Sequence, residues 1–189
     1  MFLKNIKLTD LRDKETYSFL IPIGSTEQHG PFLPFGTDTY ITDAIVSGIE
    51  KNIHEIIATP PIEYSCSKEH EGFAGTVWLE SETLASILRD VCQSLLPYAK
   101  HIFFLTAHGG NEEAFDLFFK QYSKAFQTGT IHRVSIDSDE LERATIEMIG
   151  GPVDAHAGNT EISMGLFIIP ELTERPTDQY KKIVVTHPW

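Results

Sequence analysis

The chain has only two cysteines, Cys66 and Cys92. Two thiols cannot build a disulfide framework, so both are expected to be reduced, in a cytoplasmic protein. No apolar run is long enough to span a bilayer. The opening Met-Phe-Leu-Lys-Asn-Ile-Lys lacks the apolar core and small-residue cleavage site of a secretory leader. Basic residues are scarce: 15 Lys plus Arg face 27 Asp plus Glu, for a net charge of -12. Such a surface repels phosphate backbones and anionic lipids, which argues against nucleic acid and membrane as general partners. No repeat, low-complexity tract or linker is evident. Residues 1–189 therefore read as a single domain.

What is present is ordinary for a soluble globular protein. Apolar residues make up 41% and charged residues 22%, which disfavours disorder, collagen and coiled coil. At this length roughly 70% of the unfolded surface can be buried. Tyr17 to Ile23 reads as a buried strand. Thr39 to Asn52 follows at helical spacing, and Glu55 to Thr59 is a second strand stopped by Pro60-Pro61. A polar loop is expected from Ile62 to Gly75. Ser81 reads as the N-cap of a helix with Leu84, Ile87, Leu88, Val91 and Leu95 on its buried face, ended by Pro97. His101 to Thr106 is then a strand, Glu112 to Phe126 a helix, Thr130 to Ile136 a strand, and Asp139 to Ile149 a helix closed by Gly150-Gly151. Alternating strand and helix predict a three-layer α/β domain with a mostly parallel central sheet. Ligands of such sheets sit beyond the carboxyl ends of the strands.

Three polar clusters stand out. The first follows the opening strand: Gly24-Ser25-Thr26-Glu27-Gln28-His29-Gly30-Pro31, then Gly36-Thr37-Asp38. The second is His108-Gly109-Gly110-Asn111 after the strand ending at Thr106. The third is Asp154-Ala155-His156-Ala157-Gly158-Asn159-Thr160-Glu161. Glu27 and His29, two apart on extended backbone, would share a face. Asp38 can fold back across a Pro- and Gly-rich loop, and Glu161 would point from the start of a last helix. Two imidazoles and three carboxylates suit zinc, manganese or iron, and the lack of thiolate argues against a Cys-type structural zinc. Three carboxylates and one hydroxide balance two divalent ions, whereas a single ion would leave the site doubly negative. Buried uncompensated charge is costly, so two metals are favoured, with Asp38 on its bent loop as the bridge. Each cluster alone has a blander reading, such as a helix cap by Asn111 or a dipole-complementing Glu161.

Together these residues resemble the creatininase family of metal-dependent amidohydrolases. The resemblance is carried by Gly24 to Pro31 with Leu33-Pro34 and Gly36-Thr37-Asp38, and by Glu69-His70 with Gly72-Phe73 and Gly75-Thr76. It continues through His108-Gly109-Gly110-Asn111 and His156-Ala157-Gly158 with Glu161 and Ser163, running from about Phe19 to Leu166. It implies a dinuclear site held by Glu27, His29, Asp38, His108 and Glu161, with zinc and/or manganese and iron as a third option. It also implies a three-layer α/β fold and a homo-oligomer, often a hexamer. The implied reaction is cleavage of a non-peptide C–N bond in a small cyclic or linear amide by a metal-activated hydroxide. His156 is the candidate for proton transfer to the leaving nitrogen, with Glu161 counted beside it in the catalytic set. Asn111 either orients His108 or caps its helix. Phe73, Trp78 and the loop around Cys66 are candidate pocket walls. Ala107, Asn159, the loop Tyr64-Ser65-Cys66-Ser67-Lys68 and a C-terminal region abbreviated after Pro170 depart from the family pattern, so creatinine itself is not carried over as substrate. Two rival readings are a formamide deformylase and a non-catalytic metal-binding subunit.

Overall fold

The computed structural model describes residues 1–11, 16–126, 130–136, 143–147 and 156–176. Four strands form one parallel sheet in the order β2-β1-β3-β4. They are β1 (Tyr17–Ile23), β2 (Ile56–Ala58), β3 (Ala99–Thr106) and β4 (Ile131–Val134). The helices are α1 (Thr37–Asn52), α2 (Ser81–Leu95), α3 (Glu112–Tyr122), a short α4 over 143–147, and α5 (Asn159–Ile168). The parallel α/β expectation holds.

Alternation along the strands divides the core in two. Phe19, Ile21 and Ile23 of β1, with Ile102 and Phe104 of β3, meet Leu84, Leu88 and Cys92 of α2 and Phe115 and Phe118 of α3. The opposite face of the sheet, Leu20, Ala58 and Leu105, packs on Val46 of α1, with Ile45 and Ile49 beside it. The Phe104 ring stacks on Phe115 at 5.8 Å and meets Phe118 edge-on at 5.0 Å. Each such ring contributes roughly 1.5–3 kcal/mol through removal from water.

Several boundaries differ from the sequence expectation for local reasons. Helix α1 begins at Thr37, because the Thr37 backbone N–H and hydroxyl both bond the Pro34 carbonyl and start the turn early. Asp38 therefore sits in the first helical turn and not on a bent loop. Ser81 is the first residue of α2, and Glu80 holds the N-cap position. The Ser81 hydroxyl donates to Glu113 at 2.8 Å instead of capping. Helix α3 stops at Tyr122 and passes into a 3-10 turn over Ser123–Ala125. Residues 143–147 are helical, while the rest of the helix expected over 139–149, its Gly150-Gly151 closure and the end of the chain lie outside the described residues. No helix among the described residues is long and apolar enough to cross a membrane.

Candidate metal centre

The carboxyl ends of β1 and β3 carry the chemistry. Past Ile23 the chain turns at Gly24, whose N–H bonds the Ile62 carbonyl at 2.9 Å. A Cβ at Gly24 would lie 2.6 Å from the Thr39 Cα. The bare backbone thus lets the first turn of α1 press onto the strand end. The Thr39 hydroxyl donates to the Ser25 carbonyl at 3.1 Å, and the Ser25 hydroxyl donates to Asp38 Oδ2 at 2.5 Å. The Glu27 N–H bonds the Phe35 carbonyl at 3.0 Å, which folds the intervening loop back on itself. These ties bring Glu27, His29 and Asp38 together, all buried.

His29 Nδ1 faces the backbone carbonyl of Glu27 at 3.3 Å. That leaves Nε2, which lies 3.6 Å from Asp38 Oδ1 and 3.6 Å from Glu161 Oε1. Helix α5 supplies Glu161 in its first turn, and the Ala157 N–H holds the other oxygen, Oε2. Ala157 has φ of +51°, a left-handed conformation that costs a side-chain-bearing residue roughly 1–2 kcal/mol. That strain sits in the turn that aims Glu161. On the other side, His108 Nδ1 is 3.2 Å from Asp38 Oδ2, and His108 Nε2 is 3.3 Å from Glu27 Oε2. Asp38 thus offers one oxygen to each histidine. The five residues expected from the sequence are brought together, and His156 joins them: its Nδ1 is 3.6 Å from Glu27 Oε1.

The donor set fits divalent cations. Two ligands about 2.1 Å from a tetrahedral centre lie roughly 3.4 Å from each other, against the 3.2–3.6 Å separating Asp38 from His29 Nε2 and His108 Nδ1, and Glu161 from His29 Nε2. That spacing is too long for good hydrogen bonds. Both Glu27 oxygens and His29 Nε2 are buried with no hydrogen-bond partner, an expensive state for a native interior. Three groups could each hold an ion: His29, Asp38 and Glu161; Glu27, Glu69 and His108; and Glu27, His29 and His156.

The electrostatics record the same strain. Burial raises the Glu27 carboxyl to about 7. Burial also opposes the His29 imidazolium, but the neighbouring Asp38 and Glu161 carboxylates outweigh it and push His29 up to about 10. His108 is buried too, yet Asp38 and Glu27 bring it up to about 9. Burial would raise Asp38, but His108 and His29 prevail and hold it well below the usual carboxylate range. His70 and His156 move down, first from burial and then from neighbouring imidazoles.

Sequence reasoning did not assign roles to Glu69, His70 or Gln28. Glu69 lies 3.9 Å from His108 Nε2, with its side chain 44% exposed to the cleft. His70 Nε2 lies 3.4 Å from Glu27 Oε1, and its ring stacks on His156 at 4.3 Å. Gln28 Nε2 contacts His70 Nδ1 at 2.9 Å and His156 Nε2 at 3.1 Å. Glu69-His70 was visible within the motif but reads as loop, and a 3-10 turn over Lys68–His70 is what aims it inward. Asn111 does not cap its helix. Its side chain touches Cys66, Thr106 and Gly24, not the His108 ring. The cleft above these groups has a volume of about 240 Å3 and is lined by Glu27, Asp38, Glu69, His70, His108 and His156, among others. Phe73 and Trp78 are not in its wall; Phe73 meets the His70 ring at 6.4 Å, and Trp78 lies beneath Lys68.

The family model described as "Creatininase: Creatinine amidohydrolase" matches residues 4–186. The chain belongs to the creatininase family. Among curated family relatives, the "Mycofactocin precursor peptide peptidase" of Mycobacterium ulcerans is 36% identical over 168 residues, which is 84% of this chain and 62% of that protein. The "3-dehydro-scyllo-inosose hydrolase" of Thermotoga maritima is 26% identical over 186 residues, 90% of this chain and 57% of that protein. The chain thus spans about three fifths of the length of these relatives. A solved creatinine amidohydrolase (creatininase) superposes with a TM-score of 0.74 at 20% identity, over 92% of this chain and 74% of its own. Creatininase structures of similar likeness include a manganese form and a zinc–zinc form. At that identity the likeness supports the fold.

Proposed function

We propose that the protein is a metal-dependent hydrolase of a C–N amide bond. The observation that carries this is the buried, unbonded Glu27 carboxylate facing His29 and His108, which share Asp38 between them. His29, Asp38 and Glu161 would hold one divalent ion, and Glu27, His108 and Asp38 the other, zinc and manganese being the first choices. When bound, the two ions would lower the pKa of a water and polarise the substrate carbonyl. The chain's own residues do the rest. Glu27 contributes charge in a wall that excludes solvent. His156 meets the Gln28 carbonyl through Nε2 at 2.9 Å and faces Glu27 Oε1 through Nδ1 at 3.6 Å, and we assign it the proton transfer to the leaving nitrogen. Glu69 Oε1, on the open side, is a second atom at which a proton can rest.

The substrate reading has two branches. Peptidase relatives at about a third identity favour an amide within a short peptide, whereas the family resemblance implies a C–N bond outside peptides. The small cleft favours a compact cyclic or linear amide, formamides included. We place the protein in the cytoplasm as a homo-oligomer, in which an apolar face within the acidic surface would meet its copies. The test is metal analysis of purified protein followed by hydrolysis of a panel: short peptides, lactams, formamides and creatinine-like rings, with zinc and manganese supplied in turn. Two ions per chain and turnover of one class are expected. Bound metal with no turnover of any class would favour a non-catalytic subunit.

A further inference from the structure

Four buried groups form a closed hydrogen-bonded ring behind His108. Asn111, fully buried, accepts the Cys66 N–H on Oδ1 at 3.1 Å. Its Nδ2 donates to the Thr106 hydroxyl at 3.0 Å. The same hydroxyl oxygen accepts the His108 N–H at 3.1 Å. The ring closes where His108 Nε2 meets the Cys66 carbonyl at 2.6 Å. A backbone carbonyl can only accept, so Nε2 carries the hydrogen, and the lone pair of the neutral imidazole is on Nδ1. Nδ1 is the nitrogen that faces Asp38 Oδ2 at 3.2 Å. Gly110 belongs to the same arrangement, because a Cβ there would fall on the Cys66 carbonyl oxygen and on His108 Nε2.

We infer that Asn111 is a positioning residue: acting through the Cys66 backbone, it fixes the tautomer and aim of His108 so that Nδ1 presents its lone pair on the Asp38 side. The ring joins the backbone at Cys66 to the end of β3, two segments far apart in sequence. Asn111, the Thr106 hydroxyl and the Cys66 backbone carry no charge, so they add direction to His108 without adding charge to a site already rich in acids. Asn is the side chain that suits the post, since it accepts from one backbone and donates to a hydroxyl at once. Partners of this kind behind a metal-binding histidine change metal affinity by 10–100-fold when removed. The inference rests on the reading of the site as a two-ion centre.

The experiment titrates manganese or zinc into metal-free protein and reads stoichiometry and affinity by calorimetry, with no activity measured. Asn111→Ala and Thr106→Val should each weaken one of the two ions 10–100-fold and leave the other near its wild-type affinity. Thr106→Val keeps the shape of the side chain, so it serves if Asn111→Ala folds poorly. Thr106→Ser restores the hydroxyl and should recover binding. The double variant Asn111→Ala/Thr106→Val should be no weaker than the worse single one, since either break opens the same ring. Gly110→Ala should give the same selective loss without removing any bonding atom. Folded Asn111→Ala and Thr106→Val proteins that bind both ions as the wild type does, or that lose both equally, would overturn the inference. Wild-type protein that takes up neither metal would overturn the two-ion reading itself, and this inference with it.

Discussion

Replacing Glu27 by Gln should change stability in opposite directions with and without metal. The carboxyl titrates at about 7 in the folded chain against 4.5 unperturbed, because burial disfavours its charge. The folded state therefore holds that proton more tightly than the unfolded state. An acid shifted this way costs nothing below pH 4.5; the cost grows as pH rises through about 7 and is then constant. At pH 8 it amounts to ~3 kcal/mol, at ~1.4 kcal/mol per pKa unit. Gln keeps the volume and drops the charge. The attraction to His108 is already contained in the shift to about 7, so the net gain is ~3 kcal/mol. For a chain of this size that is a rise in Tm of roughly 6–12 °C. With metal the order reverses. The wild type gains ~4.1 kcal/mol at a metal concentration a thousandfold above Kd, which exceeds that ~3 kcal/mol, and the variant, lacking a ligand, gains far less. The assay is thermal unfolding at pH 8 in chelator, then in excess manganese or zinc. Glu27→Gln protein that is less stable than wild type in chelator, yet gains as much from metal, would refute the reasoning.

Three further outcomes are expected. His29→Ala and Asp38→Asn should lose bound metal, whereas His156→Ala should keep it and lose turnover; elemental analysis of the three purified variants decides, and a His156→Ala protein emptied of metal would reverse the roles. Cys66 and Cys92 are buried and their thiols are raised by that burial to about 11 and about 12, so a disulfide reagent at pH 8 should label neither until the chain unfolds. Phe104→Ala should cost about 3–5 kcal/mol, read as a lower urea midpoint, because Phe115 and Phe118 cannot both close on the space.

Much of the architecture was legible because period and position agree. The run from Tyr17 to Ile23 alternates between two buried faces, and Leu84, Leu88, Val91 and Leu95 of the expected stripe all pack into one cluster, so pattern and packing coincide. The gathering of Glu27, His29, Asp38, His108 and Glu161 followed from strand ends and motif order. What did not show was decided by contacts across the fold. Nothing local says that Ser81 will bond Glu113 and leave its cap position, or that Pro34 will start α1 before Asp38. Asn111 was weighed only against its neighbours in sequence, and its partner Cys66 is 45 residues away. Glu69 and His70 were hidden for the same reason. A polar stretch between Pro61 and Gly75 looks like surface until a 3-10 turn brings its imidazole beside Glu27.

Gln28 and His156 touch across 128 residues of chain, and Glu161 reaches His29 over a similar span. A cation seated between those last two would act as a cross-link closing nearly the whole domain into a loop. Such long closures restrict the unfolded ensemble most, so here occupancy of the centre and cohesion of the fold would be one and the same quantity. Starving the cell of that metal would then deplete the protein as well as its activity.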